Sequence, residues 1–230
     1  LSFEPEPGIQ LRALWEHPVK SPQTVILLNL DGAEAARNSE LVKELRNGKV
    51  NVVTLDLRAT GKLAHPKDGY SRAPDHNSAQ WSMWIGRPLL GQWTYDVLRL
   101  IDALEESKAI GDKGIVLACD GPAGVVGLCA AALDSRIKEV GTYGMLSSYI
   151  SDVPYEGQRV GILAPGILRD VGDLPVLAAL SSAASISIQQ GVTAGGKELT
   201  AQELAKQFAA TSELAKLAGR EKDFHVGKAK

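Results

Sequence analysis

The sequence is short of the features that mark several protein classes. It has two cysteines, Cys119 and Cys129, one on a turn and one on the helix after it. Side chains so placed diverge, so no disulfide is expected, and two thiols leave the compartment open. Basic charge is not in excess: 25 Lys and Arg stand against 27 Asp and Glu, a net charge of -2. That balance gives no electrostatic footprint for nucleic acid. No stretch approaches the roughly 20 apolar residues that span a bilayer, so no membrane partner is expected. The opening LSFEPEPGIQ lacks a Met, a basic region and an apolar core, and does not read as a signal peptide. The 4 histidines, His17, His65, His76 and His225, fit no spacing that brings two onto one helix face. Neither a metal nor a cofactor is therefore expected. Internal repeats, low-complexity tracts and a clear linker are also missing.

What is present is an ordinary globular composition, 44% hydrophobic and 23% charged, over 230 residues. One domain over 1–230 is the expectation from that length. Two continuous apolar runs, Thr24 to Leu30 and Val50 to Leu57, have the character of strands buried on both faces, as in a parallel sheet. Between them NSELVKELRNGK is helical in pattern and ends at Gly48, a C-cap residue. From 58 to 91 the pattern dissolves into Gly, Pro, His and Trp, which predicts a long packed loop over the sheet. A helix over Gln92 to Glu105 follows, with Val97, Leu100, Ile101 and Leu104 on one face. Strands are predicted at Ile115 to Cys119, Ile137 to Tyr143 and Ser185 to Gln190, with a short one in KDFHVGKAK. Helices are predicted from Pro122 to Leu133 and, opened by a Thr200/Glu203 capping box, to about Leu217. Strands alternating with helices give an α/β fold with a mainly parallel sheet and helices on both faces; ligands then belong beyond the carboxyl ends of the strands.

The turn that joins the strand at Ile115 to the helix at Pro122 reads Cys119-Asp120-Gly121-Pro122-Ala123-Gly124. In a nucleophile elbow, small residues flank a reactive side chain held at a sharp corner above the sheet. Centred on Gly121, the register supplies Cys119 and Ala123 as small flanks and places Pro122 in the first helical turn. The nucleophile position then holds no side chain.

On these residues the chain resembles the α/β-hydrolase superfamily. LDLRATG, Leu55 to Gly61, resembles an Asp-x-Arg-Gly-x-Gly segment after an early strand, and AAALDSRIKEV resembles the elbow helix running into the next strand. GRPLLGQWTYDVLRLIDAL, Gly86 to Leu104, is similar to the helix before the elbow in bacterial acetyl-xylan-esterase-like hydrolases. The likeness covers most of residues 24 to 143. It implies a carboxylic-ester hydrolase fold with a nucleophile, a histidine and a carboxylate. It also implies a second domain or subunit of a carbohydrate-active protein as partner, or a sugar ester as ligand, and is compatible with a secreted or periplasmic setting. The carboxylate position falls near Thr193, in the turn after SISIQQ, and the histidine position is nearest His225.

Other registers place different residues at the corner. Centring Asp120 makes Pro122 a flank, where close backbone approach is wanted; centring Cys119 makes Leu117 one. The structural alternatives are a charge near a helix N-terminus for Asp120 and a small buried hydrophobe for Cys119. LLNLDGAEA places Leu30 and Asp31 where amides that stabilise an oxyanion would stand; a plain turn at Asp31-Gly32 is the other reading. Trp81, Trp84 and Trp93 either pack or stack on a sugar. Ser147 and Ser148 follow a strand rather than an elbow and are not nominated. Three readings stay open: a degenerate hydrolase domain used as a scaffold or binding domain, an active esterase with a non-standard nucleophile, and a carbohydrate-binding module in the old cleft.

Overall fold

A computed structural model of the protein describes residues 1–16, 23–39, 41, 42, 45 and 50–227. Among these, eight strands form one sheet: β1 Ser2–Glu6, β2 Ile9–Glu16, β3 Thr24–Asn29, β4 Asn51–Leu55, β5 Ile115–Asp120, β6 Ile137–Tyr143, β7 Ser185–Gln189 and β8 Phe224–Val226. Their order is β1-β2-β4-β3-β5-β6-β7-β8. β2 runs antiparallel to both its neighbours, and every pairing from β4 to β8 is parallel.

The apolar runs become the central strands because both of their faces are covered. Along β3, Ile26 and Leu28 join the main core, while Leu27 between them joins Ala36, Val42 and Val52 in a second cluster on the other face. The described helices are α1 Ala33–Asn38, α2 His76–Trp84, α3 Leu89–Glu106, α4 Ala123–Leu133, α5 Ile167–Asp170, α6 Leu174–Leu180, α7 Ala201–Gln207 and α8 Ala209–Leu217. α3 buries Trp93, Val97, Leu100, Ile101 and Leu104, the stripe that its sequence spacing demands. α4 is small-sided and buried almost all round. A Cβ at Gly127 would lie 2.4 Å from Cys119 Sγ, and one at Gly124 would lie 2.7 Å from Met145, so glycine lets this helix press onto the sheet.

The structure departs from the sequence reading in four places. Residues 58–91 are not wholly loop: α2 lies inside them and α3 starts at Leu89. α2 has no apolar stripe, and of its nine residues Ala79 is the buried one. It is fixed by tertiary bonds instead, with Asp75 just before it accepting the N-H groups of Val160 (2.9 Å) and Gly161 (2.8 Å). The β1–β2 hairpin was not expected, because Pro5 and alternating charges hide a strand whose inward residues are Phe3 and Pro5. The helix opened by Thr200 has its capping box, with Thr200 N-H to Glu203 at 2.8 Å and Glu203 N-H to Thr200 at 3.2 Å, but it breaks at the buried Phe208 into α7 and α8. The region between β6 and β7, where the sequence pattern predicts no element, contains α5 and α6. The helix expected over Asn38 to Lys49 falls largely outside the described residues, as do its cap Gly48 and His17.

Candidate functional site

The corner after β5 is built as the sequence spacing requires. β5 ends at Asp120, α4 begins at Ala123, and Gly121 between them sits at φ +58°. A residue with a β-carbon pays about 1 to 3 kcal/mol to hold that left-handed conformation, and glycine does not. A Cβ placed on Gly121 would meet nothing within 4 Å, so the space for a side chain at the corner is open. Both flanks are buried, Cys119 below the corner and Ala123 in the first turn of α4. Met145 against Gly124 and Cys119 Sγ against Gly127 close the packing beneath.

Acyl-transfer sites on such corners hold the developing oxyanion with the N-H of the residue after the nucleophile and with an N-H of the loop after β3. Here the residue after Gly121 is Pro122, which has no N-H. Among the loop residues, the N-H of Asp31 donates to Asn29 Oδ1 at 2.7 Å, and the side chain of Leu30 lies in the core. The same Asn29 donates from Nδ2 to Asp120 Oδ2 at 3.0 Å. The loss of the Pro122 donor is written in the sequence, yet proline at a first helical turn is so common that it reads there as a structural residue only.

Asp120 is half-buried at the end of β5. Its carboxyl is held above the ordinary value, first by burial and also by the nearby charge of Asp31, against the opposing bonds from Asn29 and Gly121. The Cys119 thiol is fully buried, and that burial pushes it far up, so it is not a thiolate. Its sulfur faces the helix rather than the cleft.

His225 lies within β8, opposite Ser187 of β7. Following the register across the sheet, Asp120 is level with Tyr143 and Gln189, and Ser187 is two residues short of that row. β8 is three strands from β5. Spacing between neighbouring strands of about 4.8 Å places His225 about 14 Å to the side of the corner and about 7 Å back along the strands. Thr193, at the expected carboxylate position, closes a tight turn, bonding Lys197 O through its N-H (2.9 Å) and receiving the Lys197 N-H on its hydroxyl (3.1 Å). The corner and His225 are therefore not brought together.

The cleft above the corner has a volume of about 360 Å³ and is lined by Asn29, Leu30, Asp31, Pro122, Arg72 and Arg159 among others. Ser71, Arg72, Gly157 and Arg159 are shared with an adjoining pocket of about 300 Å³ that reaches Tyr70, His76 and Tyr155. Arg159 is largely buried and paired to the exposed Asp31; Arg72 is paired to Glu156. His76 tilts against Tyr70 at 5.2 Å, and His65 stands edge-on to Trp81 at 5.9 Å. Trp81 and Trp84 lie outside both pockets on the solvent side of α2, 46% and 73% exposed, while Trp93 is fully buried. Among the described residues no group of three or more His, Cys, Asp or Glu is placed to hold a metal ion, and no helix is long and apolar enough to cross a membrane.

The LDLRATG segment turns out to be a set of fasteners. Asp56 Oδ1 accepts the Ala33 N-H at 2.7 Å and so fixes the start of α1. Arg58 enters a buried ion pair with Asp96 of α3, with its Nε 3.0 Å from both carboxylate oxygens, and its Nη1 reaches Glu6 at 3.0 Å. Trp93 Nε1 donates to the Arg58 carbonyl at 2.7 Å. Gly61 packs on Gly32, where a Cβ would be 2.4 Å from the other glycine's Cα. The segment thus holds the β3–α1 loop and α3 in place beside the corner.

No protein-family model matches the sequence, and no curated protein matches it. Solved structures do resemble it. A protein of Bacteroides fragilis with a provisional assignment as an acetyl xylan esterase superposes with a TM-score of 0.76 at 13% identity, over 100% of this chain and 65% of that one. The chain therefore spans less than two thirds of that protein's length. A carbohydrate esterase family 15 glucuronoyl esterase from Caldicellulosiruptor kristjansonii gives 0.61 at 14% identity, over 96% of this chain and 68% of that one. The acylaminoacyl peptidase of Pyrococcus horikoshii gives 0.62 at 13% identity, over 100% of this chain and 36% of that one. With the strand order, the antiparallel β2 and the corner after β5, these likenesses establish that the chain has the α/β-hydrolase fold.

Proposed function

We propose that this is a hydrolase-fold domain without ester-hydrolysing activity, serving as a scaffold or binding domain within a carbohydrate-active protein. One observation carries the reading. At the corner where the fold presents a nucleophile and its adjacent amide, this chain has Gly121 followed by Pro122, so both an attacking atom and an N-H donor are missing from consecutive positions. Nucleophilic acyl transfer needs the first to form the acyl-enzyme and the second to hold the oxyanion. The distance of His225 and the engagement of the Asp31 amide by Asn29 support it. Asp120 is a weak substitute, since burial favours its uncharged form and Asn29 already occupies one oxygen. Glycine relieves the strain of the corner, as expected where catalysis does not select for a reactive side chain.

The test is turnover of p-nitrophenyl acetate by the pure protein, beside Asp120→Ala and Gly121→Ala. The expected rate is that of buffer for all three. A wild-type rate well above buffer that collapses in either variant would overturn the proposal in favour of an active esterase with a non-standard nucleophile.

A second reading, sugar binding by the tryptophans, rests on Trp81 and Trp84 standing exposed three residues apart on α2. Flat indole faces can stack on a sugar ring and bury its apolar face. Under that reading, xylan oligosaccharides at millimolar concentration shift the tryptophan fluorescence, and the shift disappears in Trp84→Ala. A flat titration removes the reading.

A further inference from the structure

A second cavity lies on the other side of the β3–α1 loop from the corner. It has a volume of about 800 Å³ and is formed by the outer face of β2 and β4, the side of α1 and the short turn at Gly61–Leu63. Its size is within the range of small-molecule sites, about 300 to 1,000 Å³. Two features of its lining have no explanation in the fold itself.

The first is the balance of charge. Arg12 on β2, Arg37 on α1 and Lys62 on the short turn all line the cavity, and among the described residues none of their side chains has a hydrogen-bond or ion-pair partner. Of the three carboxylates on the same wall, two are engaged. Asp31 pairs with Arg159, and Asp56 accepts the backbone N-H groups of Ala33 and Lys62. Asp56 keeps its charge while accepting neutral N-H groups, so Glu34 and Asp56 offset two of the three cations and one positive charge is left over. The uncompensated charge is therefore positive, and the cations come from three separate elements that converge on one space. The second is Thr54 of β4, which is 2% exposed. Its hydroxyl is buried without any partner, and it stands in the wall of the same cavity, across the register from Leu14. Buried polar groups are paired in more than about 90% of cases, so an orphaned hydroxyl at a polar cavity marks a missing partner.

We propose that this cavity binds a small hydroxylated organic anion, a sugar acid or a sugar phosphate, with Arg12, Arg37 and Lys62 holding the anionic group and the Thr54 hydroxyl donating to a ligand oxygen. Leu14, 44% exposed on the same wall, gives an apolar surface for the carbon skeleton. The site is independent of the corner at Gly121 and stands whether or not the chain hydrolyses esters. Binding of this kind weakens as salt rises, because the cations sit at a solvent-facing mouth.

Isothermal titration at low salt with glucuronate, glucose 6-phosphate, inorganic phosphate and neutral glucose tests it. Saturable binding of glucuronate or glucose 6-phosphate, with glucose at least about tenfold weaker, is expected, which is about 1.4 kcal/mol of discrimination. Binding of glucuronate alone or of the phosphate ester alone identifies which anion the cations take. The double variant Arg12→Gln/Arg37→Gln should lose about tenfold or more in affinity, and Thr54→Val should lose affinity with its fold intact by circular dichroism. Equal binding of glucose and the anions overturns the proposal, as does no saturation by any anion at about 10 mM, a limit of about 2.7 kcal/mol of binding free energy. Wild-type affinity in Thr54→Val shows that the hydroxyl does not meet the ligand and overturns the site as drawn.

Discussion

Asp120 has a partner in Asn29, and under the proposed function its effect is expected in stability. Its carboxyl is held above the ordinary value of 3.8, chiefly by burial. A raised acid favours the fold while protonated, and that contribution is lost as pH rises through the folded-state value. Asp120→Asn should therefore raise the melting temperature at pH 7, with the gain closing as pH falls below about 4, near the ordinary carboxyl value. A melting temperature lowered at pH 7 would mean that the charge is needed in place. Some of this was legible in the sequence and some was not. Gly121 at the corner follows from small flanks between an apolar strand and a small-residue helix, a local pattern. The Asn29 contact joins residues 91 apart and depends on β3 and β5 lying side by side, which no local pattern states.

The elements around the corner are held by pairs that the sequence motifs only hint at. Arg58, leaving β4, and Asp96, midway along α3, form a buried pair, with Glu6 of β1 as a second partner for the guanidinium. Removing one partner of a buried pair leaves the other charge uncompensated, at a cost of about 3 to 5 kcal/mol. Asp96→Ala should lose about 3 kcal/mol by urea denaturation, near the lower end because Glu6 remains. A loss under about 1 kcal/mol would show that Glu6 suffices, as a surface-type pair would. At this scale the strands were the legible part. Short continuous runs rich in β-branched Val and Ile favour strands covered on both faces, and β3, β4, β5 and β6 follow within two residues of expectation. α2 was not legible, because its stability comes from Asp75 holding residues 160 and 161 rather than from an apolar stripe of its own.

Across the whole molecule, the order of strands sets the gradient of stability. β3 and β5 have neighbours on both sides and fully buried apolar residues, whereas β8 is a three-residue edge strand with half-buried side chains and β1 is the opposite edge. Amide exchange should be slowest in β3 and β5 and faster by orders of magnitude in β8, since edge elements open locally without global unfolding. Uniform exchange across all eight strands would contradict that gradient. The same order puts the corner at the centre of the sheet, where a hydrolase presents its nucleophile and where this chain has Gly121 and Pro122. The most direct test of the account is therefore p-nitrophenyl acetate turnover by the unaltered protein, with Asp120→Ala and Gly121→Ala alongside. The account predicts the buffer rate in all three; wild-type turnover well above buffer that disappears in either variant would contradict it.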